Sequence, residues 1–229
     1  MSKQPSPLDR RQRRRQETIS EVLDIAAEIM VEQGVVGLSV GEVARRMGIR
    51  PPSLYVYFPS KHAMYDALFA RGAQEVLDHV RADVDPHDDH RSLDELLLHV
   101  AETFVKWSIE HPAYSQLLFW RPVPGFTPSE EAYAPAVELI ELTRSRFAVL
   151  QQRGLVRDDA DLDAVLRGWT VLIAGVVSQQ LSNAPDEPFD SGRFTGGLPD
   201  LVTMFARHYG TGTSSPTTPT RRPANDRKH

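Results

Sequence analysis

Cysteine is absent from all 229 residues. That excludes disulfides, thiolate metal sites and thiol redox sensing, and it fits a reducing compartment. No uninterrupted apolar run approaches the roughly 18 residues of a membrane span. The N-terminus is polar and basic with no apolar stretch behind it, so no secretory signal is expected. A cytoplasmic protein with no membrane partner follows as the expectation. Period-two alternation between turns is missing, and with it any candidate strand. There is no HExxH, no glycine-rich phosphate loop and no Ser/His/Asp order signature, so no catalytic residue, cofactor or enzyme activity is expected. His87, Asp88, Asp89 and His90 are metal-ligating types, but their spacing fits no zinc motif. They read as a solvated loop, and no metal site is expected.

What is present is unevenly charged. The net of −5 looks wrong for a partner of nucleic acid. Residues 1–71, however, hold 11 Lys and Arg against 8 Asp and Glu, a net of +3. Residues 72–210 hold 11 against 22, a net of −11, and residues 211–229 return to +3. A small basic head on an acidic body favours one docking orientation on a polyanion.

The basic part contains the stretch on which the chain is organised, LSVGEVARRMGIRPPSLYVYFPSKHAMYDAL from Leu38 to Leu68. Ser39 is a good N-cap, and Glu42 three residues on completes the pattern of a capping box. Val40, Val43, Ala44 and Met47 fall at helical spacing, and Gly48 supplies the positive φ that a helix stop wants. Pro51 and Pro52 suit the first turn of a second helix, whose Leu54 faces a core. Phe58 and Pro59 end that helix, and Ser60 caps a third. Two helices of about two turns joined by a glycine turn have the layout of a helix-turn-helix. Arg50, Ser53, Tyr55, Val56 and Tyr57 are left off the buried side, a mix suited to phosphates and base edges. Lys61 adds a cation at the start of the next helix.

This segment resembles the DNA-binding domain of the TetR/AcrR family of bacterial repressors. LSVGEVARRMGI, PSLYVYFPSK and AMYDAL carry the resemblance, which covers about residues 17–70. It implies that Ser39 caps its helix and touches phosphate, and that Arg50, Pro51, Ser53, Val56 and Tyr57 face the groove. Tyr55 and Lys61 would meet phosphates. Pro51 stands where many relatives carry a polar or small residue. The HPAYSQLLF and RGWTVLIAGV strings are loosely similar to C-terminal domains of one branch of the family.

In chain order, residues 1–16 are read as a disordered basic arm with five arginines between Arg10 and Arg15. Arg13 and Arg14 are its candidate DNA contacts, along phosphates or in the adjacent minor groove. Ile19, Val22, Leu23, Ala26, Ile29 and Met30 predict a first core helix over residues 17–33. The helix opened by Ser60 runs to about Ala82, with Gly72 as a point where it bends. Further helices are expected from Ser92 to His111, over AYSQLLFW, from near Ser129 to Gly154, over residues 160–182 and over LPDLVTMFARHY. The fold class is all-α with nine or ten helices. A three-helix head over residues 17–70 precedes a helical body over residues 71–210 and a disordered tail over residues 211–229.

Aromatics concentrate in the body. Phe104, Trp107, Phe119, Trp120, Trp169 and Ile173 are the candidate walls of a pocket for a small, mainly apolar effector. Arg121, Gln116 or His111 would be its polar anchor. The helix over residues 160–182 has little polar face between Trp169 and Val177 and reads as buried on most sides. It and the helix over residues 129–152 are the candidate homodimer interface. The expected function is a ligand-responsive regulator, a repressor released from a palindromic operator in double-stranded DNA. The alternative, a helical protein adaptor, leaves Arg50, Tyr55, Tyr57 and Lys61 unexplained.

Overall fold

The computed structural model describes residues 7–83 and 91–212. Nine α-helices and three single 3-10 turns make up this part, and its only strand-like pairing is one isolated bridge between Val156 and Gly210. The metal-ligating types His87, Asp88, Asp89 and His90 lie outside the described residues, as does nearly all of the expected tail.

Helix α1 spans Pro7–Gln33, ten residues longer at its start than the sequence reading. The expected disordered arm is therefore helical from Pro7 onward. Arg and Gln are good helix formers, and proline is suited to a first helical position. Its inner face buries Val22, Leu23, Ala26, Ile29 and Met30. Helix α2, Val40–Arg46, and helix α3, Pro51–Leu54, follow. α3 is a single turn, continued by the bonds from Tyr57 N and Phe58 N to Leu54 O, both at 2.9 Å, where two turns were expected. Val35, Leu38, Val43, Leu54 and Phe58 close the head's core, all under 5% exposed. At roughly 1.5–3 kcal/mol for each large apolar side chain buried, this small core holds three helices together.

Helix α4, Lys61–Asp83, opens on a formed cap, Ala63 N donating to Ser60 Oγ at 3.0 Å. It leaves the head and runs into the body, so the two parts share one helix. Helix α5 covers Leu93–Glu110 with a full capping box from Ser92 and Glu95. Helix α6 is Pro112–Phe119, and helix α7 is Glu130–Gln152, capped by Ser129 and stopped at Gly154 with φ 69°. Helix α8, Leu162–Asn183, and helix α9, Leu198–Tyr209, complete the body.

By length and composition alone α8 could cross a membrane, although Arg167 and Gln179 interrupt its apolar run. Here α8 packs Val165, Trp169, Ile173, Val176 and Val177 into the body's core with α5, α7 and α9. Its other face is not covered, contrary to the reading of a helix buried on most sides: Val171 is 72% exposed. The loop after α8 is pinned by the buried Gln180. Its Oε1 accepts from Phe194 N and Thr195 N, and its Nε2 donates to Ala184 O.

Candidate functional site

The turn between α2 and α3 is fixed by backbone bonds. Gly48 N donates to Arg45 O at 3.1 Å and Ile49 N to Ala44 O at 3.0 Å, with Gly48 at φ 67°. These are the two bonds of a Schellman stop, and they need a residue that takes positive φ at little cost. They set α3 across α2 and leave Arg50, Pro51, Ser53, Tyr55 and Val56 exposed on one surface. Tyr57 is half-buried there, and Arg15 lies over its ring at 5.8 Å. Lys61 Nζ donates to Val36 O at 3.1 Å. An ammonium has three donors, so this bond positions the cation and leaves it able to meet a phosphate.

Ser39 stands at the N-cap of α2, but its side chain accepts no capping bond. The expected capping box with Glu42 is not formed. Glu42 instead accepts from Arg45 Nε at 2.8 Å, Arg45 Nη2 at 2.7 Å and Arg46 Nε at 3.0 Å. Those two guanidiniums, Arg45 first, hold its carboxyl down at about 2. Arg46 reaches on to Glu32 of α1 at 2.9 Å and depresses that carboxyl as well. Both α2 arginines are thus engaged within the head. Among the described residues, the cations left for a polyanion on this surface are Arg50, Lys61 and the α1 arginines. Arg13 and Arg14 are exposed on the helical extension of α1, and Arg13 lies 3.6 Å from Glu17.

The second feature is a cavity of about 190 Å³ between α4, α5, α6, α7 and α8. Four of the six expected wall residues line it: Phe104, Phe119, Trp169 and Ile173. The other two do not. Trp107 is buried elsewhere, stacked on His111 at 4.9 Å. Trp120, just past α6, is exposed to solvent. None of the expected anchors, His111, Gln116 or Arg121, lines the cavity. Its polar lining is Thr143, Thr170 and Tyr133. The walls that sequence reasoning missed are Phe69, Ala73, Val76 and Val80 of α4, and much of α7. A signal for them existed: the apolar repeat of α4 continues well past what a three-helix head needs.

An open groove lies between α8 and α9, lined by Gly168, Val171, Leu172, Gly175 and Leu201, with Phe194 at its edge. Met204 beside it is 65% exposed. Exposed apolar side chains thus extend from α8 onto α9, and α7 carries a further set at Tyr133, Val137 and Ile140.

Comparison with known proteins finds matches over both parts of the chain. The family profile described as bacterial regulatory proteins, tetR family, matches residues 22–68. A second profile, tetracyclin repressor-like, C-terminal domain, matches residues 97–195. The HTH-type transcriptional regulator YobS of Bacillus subtilis is 28% identical over 67% of this chain and 77% of its own length. HTH-type transcriptional regulator Rv1816 of Mycobacterium tuberculosis is 26% identical over 49% of this chain and 47% of its own. Among solved structures, the regulator FadR from Bacillus subtilis in complex with stearoyl-CoA superposes with a TM-score of 0.62. That match covers 82% of this chain and 97% of FadR at 14% identity.

Proposed function

The chain belongs to the TetR family of bacterial regulatory proteins, and on that premise we propose a homodimeric repressor that leaves a palindromic operator when a small apolar molecule fills the cavity. One observation carries the reading: α4 starts in the head, directly after α3, and is also a wall of the cavity. A ligand that favours one position of α4 biases the spacing of the two heads. A differential affinity of a few kcal/mol between the two states suffices to shift the population.

In this reading residues 17–70 form the head and residues 71–210 the body. Arg50, Ser53, Val56 and Tyr57 face the major groove, while Ser39, Tyr55 and Lys61 meet phosphates. Two heads related by a two-fold axis meet half-sites about one turn apart. The α8–α9 groove is the self-association surface.

The cavity constrains the effector. Among the described residues no ionised side chain lines it; Arg146 lines only the small adjoining space that shares Val100, Thr143 and Trp169 with it, so an uncharged ligand fits the larger space best. Thr143 Oγ1 donates to Leu139 O at 2.8 Å and Thr170 Oγ1 to Leu166 O at 2.9 Å. Both hydroxyl protons are engaged, so these groups offer lone pairs to a ligand. The effector is a neutral, mainly apolar molecule carrying a hydroxyl or N–H donor. The FadR neighbour's complex with stearoyl-CoA supports an apolar chain as ligand of this fold.

In vitro selection of duplexes by the purified protein, beside the double variant Arg50→Ala, Tyr55→Phe, tests the reading. A palindrome enriched by the wild type and not by the variant is expected. No enrichment by the wild type at low salt would overturn it.

A further inference from the structure

The stripe that α1 turns inward changes chemistry where the helix leaves the head. Met30, Ala26, Val22 and Ile19 succeed one another at steps of three and four, all buried or half-buried. The same steps carried back reach Arg15 and then Arg11. At about 100° per residue these two lie on the apolar face, while Arg13 lies on the opposite one. The contacts agree. Arg15 lies over Tyr57 at the end of α3, and Arg13 faces Glu17 at 3.6 Å. Both Arg11 and Arg15 are exposed.

This charge pattern is adverse for a helix on its own. Cations in the first turns oppose the helix macrodipole. Arg10 with Arg14, and Arg11 with Arg15, are like charges at i,i+4, which repel along a helix. A polyanion laid along the apolar-side face offsets the adverse dipole interaction and the Arg11–Arg15 repulsion. We infer that the basic extension of α1 is a second DNA-contact element, in which the Arg11 and Arg15 face lies as a rigid helix on phosphates flanking the groove that α3 reads. The inference deepens the DNA-binding reading above and rests on it. It moves the contact from Arg13 to the opposite side of the helix. It also excludes entry into the minor groove, because a helix about 10 Å across does not fit a groove about 6 Å wide. The extension therefore adds affinity and footprint without reading bases.

The test is fluorescence anisotropy of the full chain on its selected operator over a range of salt concentrations. Arg11→Gln with Arg15→Gln is compared with Arg10→Gln with Arg13→Gln. The first pair is expected to weaken binding tenfold or more. It should also make the salt slope shallower by roughly 2 per head, at about 0.9 for each phosphate that is no longer neutralised. The second pair is expected to change the slope by less than half as much. Gln12→Pro keeps every charge and breaks the helix, and its expected loss of affinity matches that of the first pair. Equal losses from both pairs, or a Gln12→Pro protein that binds like wild type, would overturn the inference and leave a diffuse, extended arm. A wild-type protein that bound no duplex would overturn the regulator reading itself, and this inference with it.

Discussion

Asp66 of α4 holds the first turn of α7 with both carboxylate oxygens. Ser129 N donates to Asp66 Oδ1 at 2.7 Å, and Ser129 Oγ donates to Asp66 Oδ2 at 2.7 Å. Ser129 Oγ in turn accepts from Ala132 N at 3.2 Å. The helix that carries the head is thus tied to the helix that forms the far wall of the cavity. Asp66→Ala should lower stability by about 1–3 kcal/mol, the scale of removing charged hydrogen bonds together with the cap they orient. Urea unfolding measures it. If α4 transmits occupancy of the cavity, the same variant also changes the ratio of operator affinities with and without effector. An unchanged ratio would place the coupling elsewhere.

Gly72 is the second tie between the parts. A Cβ there would lie 2.6 Å from Cδ1 of Tyr114, which is itself buried. Gly72 therefore lets α4 pack closely on α6. Gly72→Ala gains about 1 kcal/mol of helix propensity but overpacks the site, which usually costs about 1–3 kcal/mol. Net destabilisation is the expected outcome in a thermal melt. In the Tyr114→Leu background the same change should cost less, because the ring that blocks the Cβ is gone.

What is legible in this sequence is what acts locally. Gly48, Ser60 and Ser92 work through bonds within four residues of themselves, and their roles follow from the pattern around them. Ser39 with Glu42 has the same local pattern, yet Glu42 goes to Arg45 and Arg46, the latter held by Glu32 of a different helix. That competition is long-range and invisible in a window of four residues. Trp107 and Trp120 escape placement for a related reason. Composition flags aromatic residues as wall material, but only packing decides which face of α5 or which end of α6 meets the cavity. The helical start of α1 escapes any reading that takes a lack of apolar residues for disorder and gives too little weight to the helix propensity of Arg and Gln.

Burial pushes the hydroxyls of Tyr65 and Tyr114 up to about 12, against about 10 for an exposed tyrosine. Tyr65 donates to Val35 O at 2.6 Å, so its proton also joins α4 to the loop after α1. A raised pKa in the folded state means stability fully present below about pH 10 and lost as pH rises toward 12. Absorbance at 295 nm should show late-titrating tyrosines among the six, coincident with loss of helical circular dichroism. Tyr65→Phe with Tyr114→Phe should weaken that alkaline transition. Titration of all six near pH 10 with the fold intact would contradict it.

Ala136 of α7 lines the cavity without filling it. Ala136→Phe should occupy the space an effector needs. Operator affinity is expected to stay within about threefold of wild type, whereas release by a neutral apolar effector found in a thermal-shift screen should be abolished. The two readouts separate the sites. A variant that failed to bind DNA as well as failing to respond would show that the cavity's resting shape, and not its occupancy, sets the position of the heads.

Val171 tests the proposed assembly. It is 72% exposed on α8, in the groove that Leu201 of α9 also lines. A glutamate there stays in water in a single subunit and costs folding little. Between two copies of the same groove, it would bring like charges together across the two-fold axis and desolvate them. Val171→Glu should therefore sediment as a folded monomer with wild-type helicity. Each head would then bind its half-site alone, and the gain from linking two heads on one duplex would vanish, weakening binding to the palindrome by roughly 10²-fold or more. Affinity for an isolated half-site should stay close to wild type, because α3 and its surroundings are untouched. A Val171→Glu protein that remained dimeric would move the interface to the exposed stripe of Tyr133, Val137 and Ile140 on α7. Covering that stripe would close the cavity from the same side and tie effector entry to dissociation of the dimer.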